Sequence, residues 1–190
     1  MHEQQLPTAL AADLEGSFAC LVEIYQDRLY AFALRLTGNP QDAEEILVDA
    51  LSRAYEAMDQ YDHERIRALA LRPWLYQITL NVFRNRVRGR RLQLVSLERT
   101  GGQTAVDPAD AEGGRPDALL ERTELRDMLA AQVAALPERE RVAVVLRHVQ
   151  DLGYGEIATL LKQPVGTVKA NVHRGIRRLR AALHAYEAWR

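Results

Sequence analysis

Phe18, Leu21, Tyr25, Leu29, Phe32 and Leu36 recur at steps of three and four residues. That spacing lays one apolar stripe along a helix of 3.6 residues per turn and does not suit a strand, whose faces alternate at every second residue. No other feature narrows the fold as far, because the period returns along the chain. Ala43, Ile46, Leu47, Ala50, Leu51, Ala54, Tyr55 and Met58 form a second stripe, and Leu119, Leu120, Leu125, Met128, Leu129 and Val133 a third. Strand formers are not grouped into alternating runs, and the abundant Ala, Leu, Arg and Glu are good helix formers. The expected class is all-α.

Punctuation divides the stripes. Thr37-Gly38 ends the first, and Asn39-Pro40 restarts the chain with a good N-cap followed by a proline suited to the first helical position. QYDHERIRALALR, 60–72, reads as a short irregular stretch, after which Pro73 opens a helix from about Trp74 to Arg88 or a little beyond. GGQTAVDPADAEGGRP, 101–116, holds four Gly and two Pro with no apolar period, the composition of a flexible linker. The expected organisation is therefore two small helical domains, 12–100 and 117–187, joined by that linker. Cys20 is the single cysteine, so no internal disulfide framework is possible. The N-terminus lacks the apolar core of a signal peptide, and no window reaches the roughly 18 apolar residues of a membrane span. A soluble cytoplasmic protein without membrane insertion is expected.

Charge is sorted along the chain although the net charge is only −1. Pro40 to Glu64 carries eight acids against Arg53 alone, and Arg65 to Arg91 carries eight arginines and no acid. Solvated faces usually mix signs, so this segregation reads either as an acidic protein-binding face beside a basic nucleic-acid face, or as two faces that balance inside the fold. The third concentration is GTVKANVHRGIRRLR, 166–180, with five basic residues and no acid.

That last segment completes a recognisable grammar. Pro137 opens a helix with Glu138 and Glu140 in the first turn, where the helix dipole favours anions. Asp151-Leu152-Gly153 breaks it. A short helix, GEIATLL, a tight turn at KQPV and a long final helix follow. Ile157, Ala158 and Leu161 face Val168 and Val172, with Ile176 and Leu179 continuing the stripe, as in a helix-turn-helix. The second helix of such a pair enters the DNA major groove, placing Lys169, Ala170, His173 and Arg174 near base edges. Arg177, Arg178 and Arg180 lie later and could meet phosphates. If Lys169, Arg174, Arg177 and Arg178 each neutralise a phosphate, log affinity falls with log salt at a slope of about −3.6, and Arg178→Ala flattens it by about one unit. The alternative is a basic amphipathic helix that only packs its apolar stripe.

LPERERVAVVLRHVQDLGYGEIATLLKQPVGTVKANVHRGIRRLRAAL, 136–183, closely resembles the fourth conserved region of bacterial RNA polymerase sigma factors of the extracytoplasmic-function (ECF) branch. LPERER, the Tyr-x-Glu-Ile-Ala step and PVGTVK carry the likeness. Asp42-Ala43-Glu44-Glu45, then Arg72-Pro73-Trp74-Leu75-Tyr76-Gln77-Ile78 with Asn81 and an Arg-rich end, resemble the second region. The resemblance implies a sigma factor that binds core RNA polymerase, directs it to −35 and −10 promoter elements and promotes melting. It implies that Asp42, Glu45 and Asp49 dock on the clamp of the largest polymerase subunit. It implies that Asn81 contacts a −10 base held in a pocket shaped by 66–71, and that Arg84, Arg86 and Arg88, with Arg90 and Arg91, hold the backbone. Trp74 and Tyr76 could stack on bases, although Trp74 suits the core better. An anti-sigma factor is the implied regulator. Val48-Asp49, Lys162 and Ala170-Asn171 depart from the family's usual wording, and Lys162 stands where glycine is common.

Catalysis has little footing. The five histidines show no metal-ligand spacing, one cysteine cannot build a zinc cluster, and neither a phosphate-binding glycine loop nor a nucleophile motif occurs. No enzyme activity, metal or cofactor is expected. A stand-alone helix-turn-helix regulator would explain 136–183 but not the segregated N-terminal charges. A sigma mimic would have no need of so many arginines.

Overall fold

A computed structural model describes residues 3–96 and 128–189, without the side chains of 90–96 and 185–189. The 101–116 linker and the start of the predicted second domain, 117–127, lie outside the described residues. All regular structure among the described residues is helical.

The first unit begins earlier than the apolar stripes suggest. A 3₁₀ turn, Glu3–Gln5, leads into α1, Leu6–Ala12. Leu6, Leu10 and Ala11 are buried against α2, Leu14–Thr37, and α4, His63–Arg67. Asp13 ends α1 and caps α2, its carboxylate accepting from the Gly16 N–H at 2.9 Å. Five of the six residues of the α2 stripe, Leu21, Tyr25, Leu29, Phe32 and Leu36, are buried, and Phe18 is half-buried edge-on to Tyr55. Each buried Leu or Phe of such a stripe contributes about 1.5–3 kcal/mol by leaving water. Gly38 closes α2 at φ 68°, the left-handed conformation that glycine adopts without a Cβ penalty. Asn39 then caps α3, Pro40–Asp59, accepting from Asp42 N–H at 3.0 Å. The stretch read as irregular contains α4, because the Asp62 carboxylate accepts from Arg65 N–H at 2.7 Å and starts a turn that buries Ile66. The long α5, Leu71–Ser96, packs on α2 and α3.

The second unit comprises α6 (128–135), α7 (Glu138–Val144), α8 (Tyr154–Leu161) and α9 (Val165–Trp189). A π-helical turn, Val145–Val149, extends α7, with the Gln150 N–H reaching Val145 O at 3.0 Å. Wide turns of this kind redirect the chain within a helix, and Asp151 at φ 50° completes the change of direction. Ile157, Ala158, Val168 and Val172 are buried where α8 crosses α9, as the helix-turn-helix pattern predicts. Leu160, outside that predicted set, is buried too; α8 packs on α5 as well as α9. Lys162 ends α8 at φ 52°, ψ 48°, the strained left-handed backbone anticipated at a position that favours glycine.

The two units dock. Arg72 donates to the Gln150 carbonyl, and the fully buried Tyr76 hydroxyl donates to Gln150 Oε1. The π turn brings Gln150 to this contact. Arg84 Nε pairs with Glu138 Oε1 at 3.0 Å, and the Arg141 guanidinium lies 5.9 Å from the Phe83 ring centroid. Burial pulls the Arg141 pKa down, against the opposing pull of Glu138.

Candidate nucleic-acid interface

The α9 interface begins at the turn before it. Pro164 O accepts from Thr167 N–H at 2.9 Å and Val168 N–H at 3.2 Å, closing the first turn of α9. Val168 and Val172 then anchor one face, and the remaining faces are set by helical period. Lys169, His173, Arg177 and Arg180 fall at steps of four, four and three, one exposed line along the helix. They share an open groove with His148 and Tyr154, floored by Val172 and Ile176. Lys169 Nζ lies 5.7 Å from the Tyr154 ring centroid, within reach of a cation–π contact. Among the described residues, no carboxylate forms an ion pair with any of these four.

Arg174 and Arg178, predicted alongside them, occupy the other flank. Arg174 Nε is 3.4 Å from Glu140 Oε1 and Arg178 Nε is 2.9 Å from Glu140 Oε2. Arg174 also donates to Asn171 Oδ1. Asn171 is buried and Ala170 half-buried, so at 170–171 the chain presents little side chain to solvent.

The predicted −10 residues are divided as well. Asn81 and Arg88 are exposed on α5. Arg84 is engaged by Glu138 across the domain contact. Arg86 lies among all three predicted polymerase-docking acids: 3.8 Å from Asp42 Oδ1, 4.0 Å from Asp49 Oδ2, and in close contact with Glu45. At this point one arginine of the basic run meets the acidic run and offsets part of its charge. Glu45 and Asp49 keep side-chain exposures of 46% and 54%, whereas Asp42 keeps 12%. Beside them Val48 is 62% exposed.

Of the two aromatic stacking candidates on α5, Tyr76 changes its role and Trp74 keeps the core position favoured for it. Tyr76 cannot stack on a base, because it is fully buried and bonded to Gln150. Trp74 is half-buried against the core, its ring 6.3 Å from Tyr61. Within 66–71, Ile66 and Leu71 are buried in the core; just before it, Arg65 stacks over Tyr61 with its guanidinium 3.6 Å from the centroid. Sequence reasoning missed His148, Tyr154 and Gln150. They belong to other segments, and no spacing rule links them to α9 or α5.

Comparison with known proteins follows the same division. Residues 21–93 match the family model described as sigma-70 region 2, and residues 126–179 match that described as sigma-70, region 4. The ECF RNA polymerase sigma factor SigW of Bacillus subtilis is 33% identical over 172 residues, covering 89% of this chain and 90% of that protein. The ECF RNA polymerase sigma-E factor of Escherichia coli is 30% identical over 170 residues, covering 84% and 83%. Among solved structures, the sigma factor RpoE in complex with the anti-sigma factor NepR from Bartonella quintana superposes with a TM-score of 0.72 at 22% identity, covering 88% of this chain and 96% of that one.

Proposed function

The chain belongs to the ECF branch of the sigma-70 family, and we propose that its two helical units divide promoter recognition between them. Its function is that of an RNA polymerase sigma factor: it binds core polymerase and directs it to promoters. In our reading the second unit lays α9 into duplex DNA at the −35 element. The observation that carries this assignment is the line of Lys169, His173, Arg177 and Arg180 along one open groove, without a carboxylate partner among the described residues. The groove adds His148 and Tyr154 to the DNA face.

The first unit takes the −10 strand through exposed Asn81 and Arg88. The outer face of α3, with Glu45, Asp49 and exposed Val48, docks on the clamp of the largest polymerase subunit. Asp42 contributes there chiefly by supporting Arg86. The chain makes no covalent bond itself; the polymerase supplies the chemistry. It acts in the cytoplasm, where core polymerase is found, and no described helix is long and apolar enough to cross a membrane. An anti-sigma factor regulates it, by analogy with the partner held by the Bartonella protein of like fold.

The test is reconstitution. The purified chain should co-elute with core polymerase and support transcription from defined starts; duplex binding without core would instead mark a stand-alone regulator. Extruding a base from the stack costs a few kcal/mol that neighbouring contacts offset. Asn81→Ala should therefore retain core binding and lower open-complex formation about a hundredfold, read by permanganate footprinting. Loss of core binding would make Asn81 structural.

A further inference from the structure

Glu140 lies in the first turn of α7 and is only 6% exposed. It sits where α7 and α9 pass close together. Gly175 permits that approach: a Cβ at 175 would lie 2.6 Å from Val144 Cγ2 and 3.5 Å from Glu140 Cβ. Arg174 precedes this glycine, Arg178 follows it by three residues, and both guanidiniums reach back to the one carboxylate. Glu140 Oε2 is buried with Arg178 Nε 2.9 Å away, and Arg174 Nε stands 3.4 Å from Oε1, so the two cations compensate its charge. An uncompensated buried carboxylate is strongly unfavourable, so the pairing holds both arginines to α7. The buried Asn171 side chain holds Arg174 a second time.

We infer that Glu140 is a positioning residue that withholds Arg174 and Arg178 from the DNA phosphates, so that α9 meets the duplex through its Lys169–Arg180 line alone. The inference rests on the assignment of α9 to promoter DNA. A lysine or arginine that neutralises a phosphate releases condensed counterions, steepening the salt dependence of log affinity by about 0.9 per contact. One carboxylate offsets one of the two positive charges, and Arg178, the nearer at 2.9 Å, is the arginine it removes from that slope. The count of basic residues in α9 therefore overstates the charge it presents.

The experiment uses holoenzyme assembled from the full chain and core polymerase, bound to a promoter fragment recovered by mapping transcript starts. Affinity is measured across a potassium chloride series. Lys169→Ala should flatten the slope by about 0.9, while Arg178→Ala should leave it unchanged. In a Glu140→Gln background, the same Arg178→Ala change should flatten the slope by about 0.9, because the arginine is then released to the phosphates. Circular dichroism establishes that Glu140→Gln is folded; if it is not, the comparison of Lys169→Ala with Arg178→Ala in the natural background still decides. Equal flattening by those two variants overturns the role of Glu140 and leaves α9 on DNA. No flattening by Lys169→Ala overturns the assignment of α9, and this inference with it. No flattening by Arg178→Ala in a folded Glu140→Gln chain also overturns it, since Arg178 would then be off the DNA for another reason.

Discussion

Helices α5 and α9 are both long, both rich in arginine and both assigned to DNA, yet they handle their charge differently. On α5, Arg72, Arg84 and Arg86 each meet a group from elsewhere in the chain: the Gln150 carbonyl, Glu138, and the Asp42–Glu45–Asp49 row. On α9, Arg174 and Arg178 are answered by Glu140, while the opposite flank keeps Lys169, His173, Arg177 and Arg180 open to solvent. The difference teaches that a run of basic residues gives an upper bound on the charge offered to a ligand. The acids that packing brings alongside set the actual value.

The comparison breaks first at Arg86. If it is a structural hub, Arg86→Ala leaves three carboxylates facing one another and should destabilise the fold by about 2 kcal/mol in denaturant unfolding, less than the loss from a fully buried pair because the site is partly exposed. If stability holds and only DNA binding falls, Arg86 belongs with the open flank of α9. Tyr76→Phe should cost about 1 kcal/mol by leaving the Gln150 amide oxygen without its donor. No cost would mean that α5 and the π turn do not meet in solution through this bond, and the contrast between an engaged α5 and an open α9 would soften.

The smallest effect lies at the N-terminus, where Arg28 is another answered arginine. Burial pushes the Glu3 carboxyl up, but hydrogen bonds from Tyr25 and Arg28 outweigh it and hold the group below its ordinary value. A carboxyl lowered in the folded state adds stability that is fully present above the ordinary value of 4.5 and lost as pH falls through the lower folded value. Glu3→Gln should therefore reduce stability by a few tenths of a kcal/mol at neutral pH, the pair being substantially exposed, and make no difference once Glu3 is protonated in both states. An equal loss at both pH extremes in thermal melts would assign the effect to packing of the 3₁₀ turn instead.

Much of the fold is legible along the chain because it rests on local rules. The α2 stripe, the Gly38 stop, the Asn39 cap and the helix-turn-helix around Ile157 and Val172 follow from period and capping chemistry within a few residues. α1 was harder to see, because seven residues with three buried positions give too short a period to stand out. The α4 turn depends on one Asp62 hydrogen bond inside a stretch that otherwise reads as loop. Of the candidate site, Lys169, His173 and Arg177 lie together on the open flank of α9, and Asn81 is exposed on α5. Tyr76, a base-stacking candidate by position, is buried by a contact with a residue 74 positions away.

The sequence by itself determined the helical class, the family and the boundaries marked by strong caps, such as Gly38 and Asn39, since each depends on residues close together in the chain. Tertiary structure decided which charges are spent within the chain and which face outward. Glu140 and Arg178 are 38 residues apart, and Asp42 and Arg86 are 44 apart. Coulomb attraction depends on separation in space, and the packing of α3 on α5 and of α7 on α9 sets that separation.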